Sequence, residues 1–226
     1  MSFEAEEAEN ILSGSAEAVK RRGAMLATGD IVYVYADPPL NAVVGEFLAG
    51  LPEFTPDYEY QLIPVLWPRR YGEPVKARVK GLGGPSGYME APDRLVGALE
   101  KHRCASLPRV SAVLYGVQEC IYCRSTLALL RDVFGYSCVE ECDISGEECF
   151  DRYEELVERL FPGSQGVPLS LGRYGGSAWA AYGGLNVYDM EKVYRLLSPG
   201  TLVAYSGGAG RRYPLSALEN SSSKTL

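Results

Sequence analysis

The positions of the cysteines constrain this chain more than any other feature. Five of the six cysteines lie between residues 120 and 149. Cys120 and Cys123 follow an apolar run, residues 109–117, and precede a segment whose apolar residues recur at helical spacing. This pattern predicts a buried strand, a short loop and a helix, with the two cysteines at the start of that helix.

A cysteine at the start of a helix has a chemical use. The helix N-terminus carries unpaired N–H groups and a positive partial charge, which stabilise a thiolate, and the thiolate is the nucleophilic form. A second cysteine one turn later can attack a mixed disulfide formed by the first. We expect Cys120 to be the attacking thiolate and Cys123 to be the resolving thiol. A permanent disulfide or two inert thiols are the structural alternatives.

The remaining sequence predicts an α/β fold with alternating strands and helices. In the second half we expect a β-α-β-α-β-β-α series followed by a hairpin, over residues 109–117, 123–134, 136–144, 147–161, 167–172, 178–182, 187–197, 201–206 and 211–215. The first half predicts a similar, shorter series. It begins with one helix over 3–27, or two helices broken near Ser13-Gly14-Ser15, and has further helices over 40–51 and 91–102. A strand is predicted over 30–36, an extended segment over 58–67, a hairpin connection at 69–74, a strand over 75–80 and a glycine-rich turn at 81–87. The two halves therefore suggest an internal duplication.

Residues 109–197 resemble a thioredoxin-fold domain of the glutaredoxin and thioredoxin superfamily. Three motifs carry the resemblance: strand–Cys120-Ile-Tyr-Cys123–helix, Gly166-Val167-Pro168 before a strand, and Gly183-Gly184 before the last helix. The resemblance implies a cis Val167–Pro168 bond and substrate contacts at Tyr122, Val167, Pro168, Gly183 and Gly184. Ordinary packing, a proline at a strand start and a tight glycine turn are the structural alternatives for these residues.

Two such units in tandem resemble the archaeal protein disulfide oxidoreductases. The resemblance implies three-layer α/β/α units, with a degenerate thioredoxin-like unit over 1–103, a redox domain over 104–200, and a hairpin extension and tail over 201–226. The first unit has Asp37-Pro38-Pro39 where that family has its other cysteine pair, so we expect a scaffold or docking surface there. Its Pro64, Gly72 and Gly81 faintly repeat the proline and glycine positions of the second half.

The other cysteines allow more than one interpretation. Cys138, Cys142 and Cys149 are either buried small apolar residues or members of a second disulfide, for which Cys142–Cys149 is one pairing. A zinc or iron–sulfur site made by Cys120, Cys123, Cys138 and Cys142 is a further alternative. Cys104 is expected to be a bystander in a linker, and His102 a capping or surface residue at the end of a helix.

Charge and termini limit the choice of partners. The formal net charge of −7 argues against nucleic acid or an anionic membrane as the main partner. An acidic start without an apolar run is not a signal peptide, so we expect a cytoplasmic protein. The favoured function is thiol–disulfide exchange on protein disulfides, with no tightly bound cofactor and with a thioredoxin-reductase-like flavoprotein or glutathione as electron donor. A glutathione-dependent glutaredoxin, a metal-binding module and a scaffold with a structural disulfide are the alternatives.

Overall fold

The structure is a computed structural model that describes residues 1–77, 88–103 and 111–219. The chain is a mixed α/β protein that divides into two compact units, Met1–Ser106 and Leu107–Leu226. Each unit contains one six-stranded sheet. Within the described ranges, no helix is both long enough and apolar enough to cross a membrane. Cys104, the glycine-rich segment 81–87 and the tail 220–226 lie outside the described residues.

The first unit is built mainly from antiparallel strands. Its elements are β1 (Ser2–Phe3), α1 (Ala5–Leu12), β2 (Ala18–Arg22), β3 (Ile31–Ala36), β4 (Ala42–Ala49), β5 (Glu53–Phe54), β6 (Tyr60–Lys76) and α2 (Asp93–Arg103). The strand order is β1-β3-β4-β6-β2, with β5 also paired to β6. Only the β1–β3 pair among these strands is parallel. The expected strand at 30–36 and helix at 91–102 are confirmed.

The helix predicted over residues 40–51 is wrong, because this segment forms strand β4. Short apolar runs fit a helix or a buried strand equally well, and both faces of β4 are buried. Gly45 identifies the strand in retrospect. A Cβ atom there would lie 2.2 Å from the carbonyl oxygen of Arg69 on β6, so the two backbones approach closely only because the residue is glycine.

The hairpin predicted at residues 69–74 is also wrong. The segment belongs to β6, a 17-residue strand that contains Pro64, Pro68 and Gly72. These residues are tolerated because β6 changes partners along its length, pairing first with β2 and then with β4, and because its register shifts near Pro68. The helical prediction over 3–27 is wrong in part. Helix α1 ends at Leu12, beside the alternative break at 13–15, but residues 18–22 form strand β2 and not a second helix. The first unit therefore does not repeat the element order of the second.

The second unit follows its predicted element order closely. Its elements are β7 (Ala112–Gly116), α3 (Ile121–Phe134), a 3₁₀ turn (Tyr136–Cys138), β8 (Val139–Asp143), α4 (Glu147–Leu160), β9 (Leu169–Tyr174), β10 (Ser177–Tyr182), α5 (Val187–Leu196), β11 (Thr201–Ser206), β12 (Ala209–Pro214) and α6 (Ser216–Glu219). The strand order is β12-β11-β10-β9-β7-β8. The terminal hairpin β11–β12 extends this sheet, because β11 pairs with β10 in parallel.

Helices cover both faces of the second sheet. Val113 and Tyr115 of β7 pack with apolar residues of α4 on one face. On the opposite face, the ring of Phe134 from α3 stacks on Trp179 of β10 at 6.1 Å between centroids. The hydroxyl of Tyr205 on β11 donates to Asp189 of α5 on that same face. Strand β7 lies between β8 and β9 and is buried throughout, so it holds the start of α3 rigidly.

Candidate active site around Cys120 and Cys123

Cys120 is the N-cap residue of α3. Its backbone is extended, and its Sγ accepts a hydrogen bond from the backbone N–H of Cys123 at 3.2 Å. The thiol is free and partly exposed. An N–H group aimed at sulfur and the positive end of a 14-residue helix both stabilise negative charge at this position. The predicted position of Cys120 at the helix start is confirmed.

Cys123 lies one turn further along α3 and is buried, with 2% of its surface exposed. Burial, followed by the hydrogen bond to Cys120, raises the pKa of the Cys123 thiol to about 11 from an ordinary value of 9.0. Gly116, the last residue of β7, makes room for this thiol. A Cβ atom on Gly116 would lie 2.8 Å from Cys123 Sγ. The two thiols therefore differ in access to solvent, and Cys123 loses its proton less readily than an ordinary thiol.

The segment before β9 faces Cys120. The Val167–Pro168 peptide bond is cis, as the family resemblance implied. The Sγ of Cys120 lies 4.0 Å from the carbonyl oxygen of Val167, which accepts a weak hydrogen bond from the thiol. Pro168 is buried, whereas Val167 is half-buried and Gly166 is exposed. The structure therefore brings Val167 into contact with Cys120, although the two residues are 47 positions apart in the sequence.

Two tyrosines hold the carbonyl oxygen of Gly166. Tyr153 of α4 and Tyr182 at the end of β10 both donate their hydroxyl groups to it, Tyr182 at 2.9 Å. Burial and the neighbouring Tyr182 raise the pKa of Tyr153 to about 12, so this phenol remains a donor at neutral pH. Gly166 thus connects the segment that faces Cys120 to both a helix and a strand.

The predicted glycine pair lies beside Tyr122. A Cβ atom on Gly184 would lie 3.2 Å from Cδ1 of Tyr122, so the tyrosine ring rests on this glycine. Gly183 has a φ of +94°, which favours glycine, and its N–H donates to the carbonyl oxygen of Pro168 at 2.9 Å. Tyr122 and its neighbour Ile121 remain 65% and 66% exposed. An apolar surface therefore adjoins the free thiol of Cys120.

A buried hydroxyl fixes the helix against this glycine loop. Thr126 of α3 is fully buried, and its Oγ1 accepts the backbone N–H of Leu185 at 3.0 Å. Leu185 directly follows Gly184, so the hydrogen bond links the helix carrying both thiols to the segment under Tyr122. The side chain of Asn186 then caps α5 in a capping box with Asp189.

The structure does not bring together the four cysteines of the alternative metal site. Cys142 at the end of β8 is bonded to Cys149 in α4, with a Cα–Cα distance of 5.6 Å. Cys138 is fully buried and is also disulfide-bonded. Neither Cys138 nor Cys142 is therefore a thiolate available to a metal, and they do not join Cys120 and Cys123. Across the described residues, no three side chains of the histidine, cysteine, aspartate and glutamate types form a metal-binding group.

Sequence reasoning missed four residues around the thiols: Gly116, Thr126, Tyr153 and Tyr182. Gly116 carried a local signal, because a glycine that ends an apolar strand indicates close packing. The other three act through contacts that cross between elements, and the sequence alone contains no periodic signal for such contacts. His102, near the end of α2, lies with its ring 6.2 Å from that of Tyr71, in the first unit and not in this site.

Comparisons with known proteins identify no family for this chain. No family model matches it, and no curated protein matches it. Among solved structures, the Y47F mutant of the ZmASCH protein from Zymomonas mobilis is similar over 34% of this chain and 73% of its own, with 18% identity and a TM-score of 0.29. A similarity this weak supports no argument about fold or activity.

Proposed function

We propose that this protein is a thiol–disulfide oxidoreductase that acts on protein disulfides through Cys120 and Cys123. The observation that carries the proposal is the pairing of a partly exposed thiol at a helix start with a buried thiol one turn later. The β-α-β-α-β-β-α order of the second unit and the position of Val167 beside Cys120 agree with the thioredoxin-fold resemblance, and they support a thioredoxin-like redox domain.

In the proposed reaction, the Cys120 thiolate attacks one sulfur of a substrate disulfide. A mixed disulfide forms, and the first substrate sulfur leaves as a thiolate that takes up a proton. Cys123 then loses its proton and attacks Cys120 Sγ. This step releases the second substrate thiol and leaves a Cys120–Cys123 disulfide. The substrate gains two electrons and two protons, and the cysteine pair loses them.

The two thiols suit the two steps differently. A partly exposed sulfur can reach a disulfide on another protein, whereas Cys123 is buried against Gly116 and interacts with Cys120. Because the pKa of Cys123 is raised to about 11, this residue keeps its proton at neutral pH and does not compete for substrate. Cys120 is therefore the attacking residue and Cys123 the resolving one.

The proposal includes an electron donor that reduces the Cys120–Cys123 disulfide after each cycle. A thioredoxin-reductase-like flavoprotein is proposed for this step, with glutathione as the alternative donor. A cytoplasmic location belongs to the same proposal. Coupled assays with either donor, in which NADPH consumption is followed, separate the two.

Insulin reduction by dithiothreitol tests the proposal. The wild-type protein should accelerate insulin precipitation, and Cys120→Ser should abolish the acceleration. In a separate incubation with insulin and no dithiothreitol, Cys123→Ser should accumulate a mixed disulfide with substrate, detectable as an added mass that reductant removes. The double variant Cys142→Ser/Cys149→Ser is the matched control, because it removes two cysteines but leaves the proposed site intact. Activity that persists in Cys120→Ser, or is lost only in the control, would refute the proposal.

A further inference from the structure

The first unit contains a cavity on the face of its sheet that α1 does not cover. Alternate residues of β3 point to opposite faces. Val32, Val34 and Ala36 join the apolar cluster around α1. Tyr33 and Tyr35 belong to the other face, where Tyr35 packs with Leu99 of α2. A cavity of about 410 Å³ lies on this second face, between β3 and the segment 88–95. Its volume is within the range of small-molecule sites.

Two tyrosine hydroxyls of the lining have no hydrogen-bond partner among the described residues. Tyr35 has 8% of its surface exposed and lines the cavity. Among the described residues its hydroxyl makes no hydrogen bond, and the same holds for the hydroxyl of Tyr33, which also lines the cavity. Neither hydroxyl is sealed from solvent, so both have hydrogen-bonding capacity left for a small molecule in the cavity.

The charged groups of the lining are anionic. Asp30 and Glu90 supply carboxylates, and the described lining contains no lysine, arginine or histidine. Asp30 accepts the backbone N–H of Ala27 through Oδ2 at 2.8 Å, which leaves its other oxygen available. The amino group of Met1 also lines the cavity, but burial lowers its pKa to about 5, so it is uncharged at neutral pH.

We propose that this cavity binds a small organic cation, namely an amine with an apolar or aromatic body. The apolar lining and the rings of Tyr33, Tyr35 and Tyr88 accommodate the body, and aromatic rings also attract cations. The carboxylates of Asp30 and Glu90 attract the ammonium group, and the unpartnered hydroxyls accept its N–H groups. This binding site is independent of the thiol chemistry proposed for Cys120.

Three probes of matched size test the charge preference: phenethylamine, 2-phenylethanol and 3-phenylpropionate. Binding to the full chain is measured by isothermal titration calorimetry and by saturation-transfer NMR. Any affinity tag is placed at the C-terminus, because Met1 lines the cavity. We expect phenethylamine to bind most tightly, the alcohol more weakly and the carboxylate not at all. Equal binding of all three probes, preferred binding of the carboxylate, or no binding would overturn the proposal.

Substitutions then test whether phenethylamine binds in this cavity. Asp30→Asn and Glu90→Gln should each weaken phenethylamine binding about two- to fivefold, as expected for partly exposed ion pairs. Tyr35→Phe should weaken it about two- to tenfold through the lost hydrogen bond. Ala91→Trp, at the cavity lining, should block binding. Glu53→Gln on β5, outside the cavity, is the matched control and should bind as wild type. Unchanged affinity in Ala91→Trp would show that the amine binds elsewhere.

Discussion

Tyr153 and Tyr182 donate their hydroxyl groups to one acceptor, the carbonyl oxygen of Gly166. The two side chains come from α4 and β10, so the acceptor is held from two elements of the second unit. Gly166 directly precedes Val167, whose carbonyl oxygen lies 4.0 Å from Cys120 Sγ. The tyrosines therefore act as positioning residues for the segment that faces the proposed nucleophile.

Removing both hydroxyls should slow the reaction with a protein disulfide without changing the intrinsic reactivity of Cys120. In Tyr153→Phe/Tyr182→Phe, each lost hydrogen bond costs about 1 kcal/mol at most, because Gly166 is exposed and water can replace the donors. Together the two losses amount to about 2 kcal/mol at most, so we expect mixed-disulfide formation with insulin to slow by up to about thirtyfold in the double variant. Alkylation of Cys120 by iodoacetamide should stay at the wild-type rate.

Tyr213→Phe on β12 is the matched control, because its hydroxyl makes no hydrogen bond within the described residues. It should react with insulin as wild type. An equal slowing of insulin reduction and of iodoacetamide alkylation in the double variant would contradict the positioning role. Such a result would instead indicate that the phenols stabilise the second unit as a whole.

The second unit was predictable from sequence because its elements carry their own signals. Strand β7 is a short apolar run beside a helix with regular apolar spacing, and α4 is amphipathic over its full length. In the first unit, β4 is buried on both faces, so its apolar residues recur without a diagnostic period. Gly72 suggested a hairpin turn, but strand β6 continues through it. Local patterns do not encode which strands will pair.

The residues of the candidate site were likewise predictable only where a local motif marks them. Cys120, Cys123, Val167 and Pro168 were found because each lies in a short motif. Tyr153 has no motif, and its role depends on α4 packing beside the segment before β9. Pairings between cysteines were also left open by the sequence, because several partners were compatible with the spacing. The Cys142–Cys149 bond becomes evident only when the end of β8 meets the start of α4.

The stability that protonated Cys123 contributes should be lost at high pH. Its pKa is raised to about 11 from 9.0, mainly by burial, so the folded state keeps a proton that the unfolded state releases. The stability contributed by this group is fully present below pH 9 and is lost as the pH rises through about 11. In Cys120→Ser, burial remains, so alkylation of Cys123 should show a midpoint well above 9. A midpoint at or below 9, measured by mass spectrometry after timed iodoacetamide pulses, would contradict this prediction.

Two glycines beside the cysteine motif should respond differently to alanine. In Gly116→Ala, the new Cβ meets the buried Cys123 Sγ at 2.8 Å, and neither group can move freely. We expect a loss of about 1–3 kcal/mol in the free energy of unfolding, measured by denaturant titration. Gly184→Ala meets only the ring of Tyr122, which is mostly exposed and can shift, so the change should stay within about 0.5 kcal/mol.

A second substitution checks the cause of the Gly116 effect. Cys123→Ala removes the sulfur that the new Cβ would contact. The double variant Gly116→Ala/Cys123→Ala should therefore lose less stability than the sum of the two single variants. Additive losses would show that the Gly116→Ala effect comes from the backbone of β7 and not from contact with the thiol.

The buried carboxylate of Glu46 should contribute more to the stability of the first unit than an exposed carboxylate that forms a surface ion pair. Glu46 is fully buried on β4, where it pairs with Arg69, accepts from Arg103 Nε at 2.8 Å and accepts the hydroxyl of Tyr71 at 2.7 Å. Glu46→Gln leaves buried guanidinium charge without its main counter-ion. We expect a loss of about 3–5 kcal/mol in the free energy of unfolding.

Glu9→Gln provides the matched control, because Glu9 forms an exposed pair with Arg70 in the same unit. It should cost less than about 1 kcal/mol. The chain has two tryptophans, Trp67 in the first unit and Trp179 in the second. Fluorescence-monitored denaturation in a Trp179→Phe background therefore reports the first unit alone. Similar losses of unfolding free energy in Glu46→Gln and Glu9→Gln would contradict this prediction. The ion pairs of Glu46 would then contribute no more stability than a surface pair, because their attraction would only offset the cost of desolvating the buried charges.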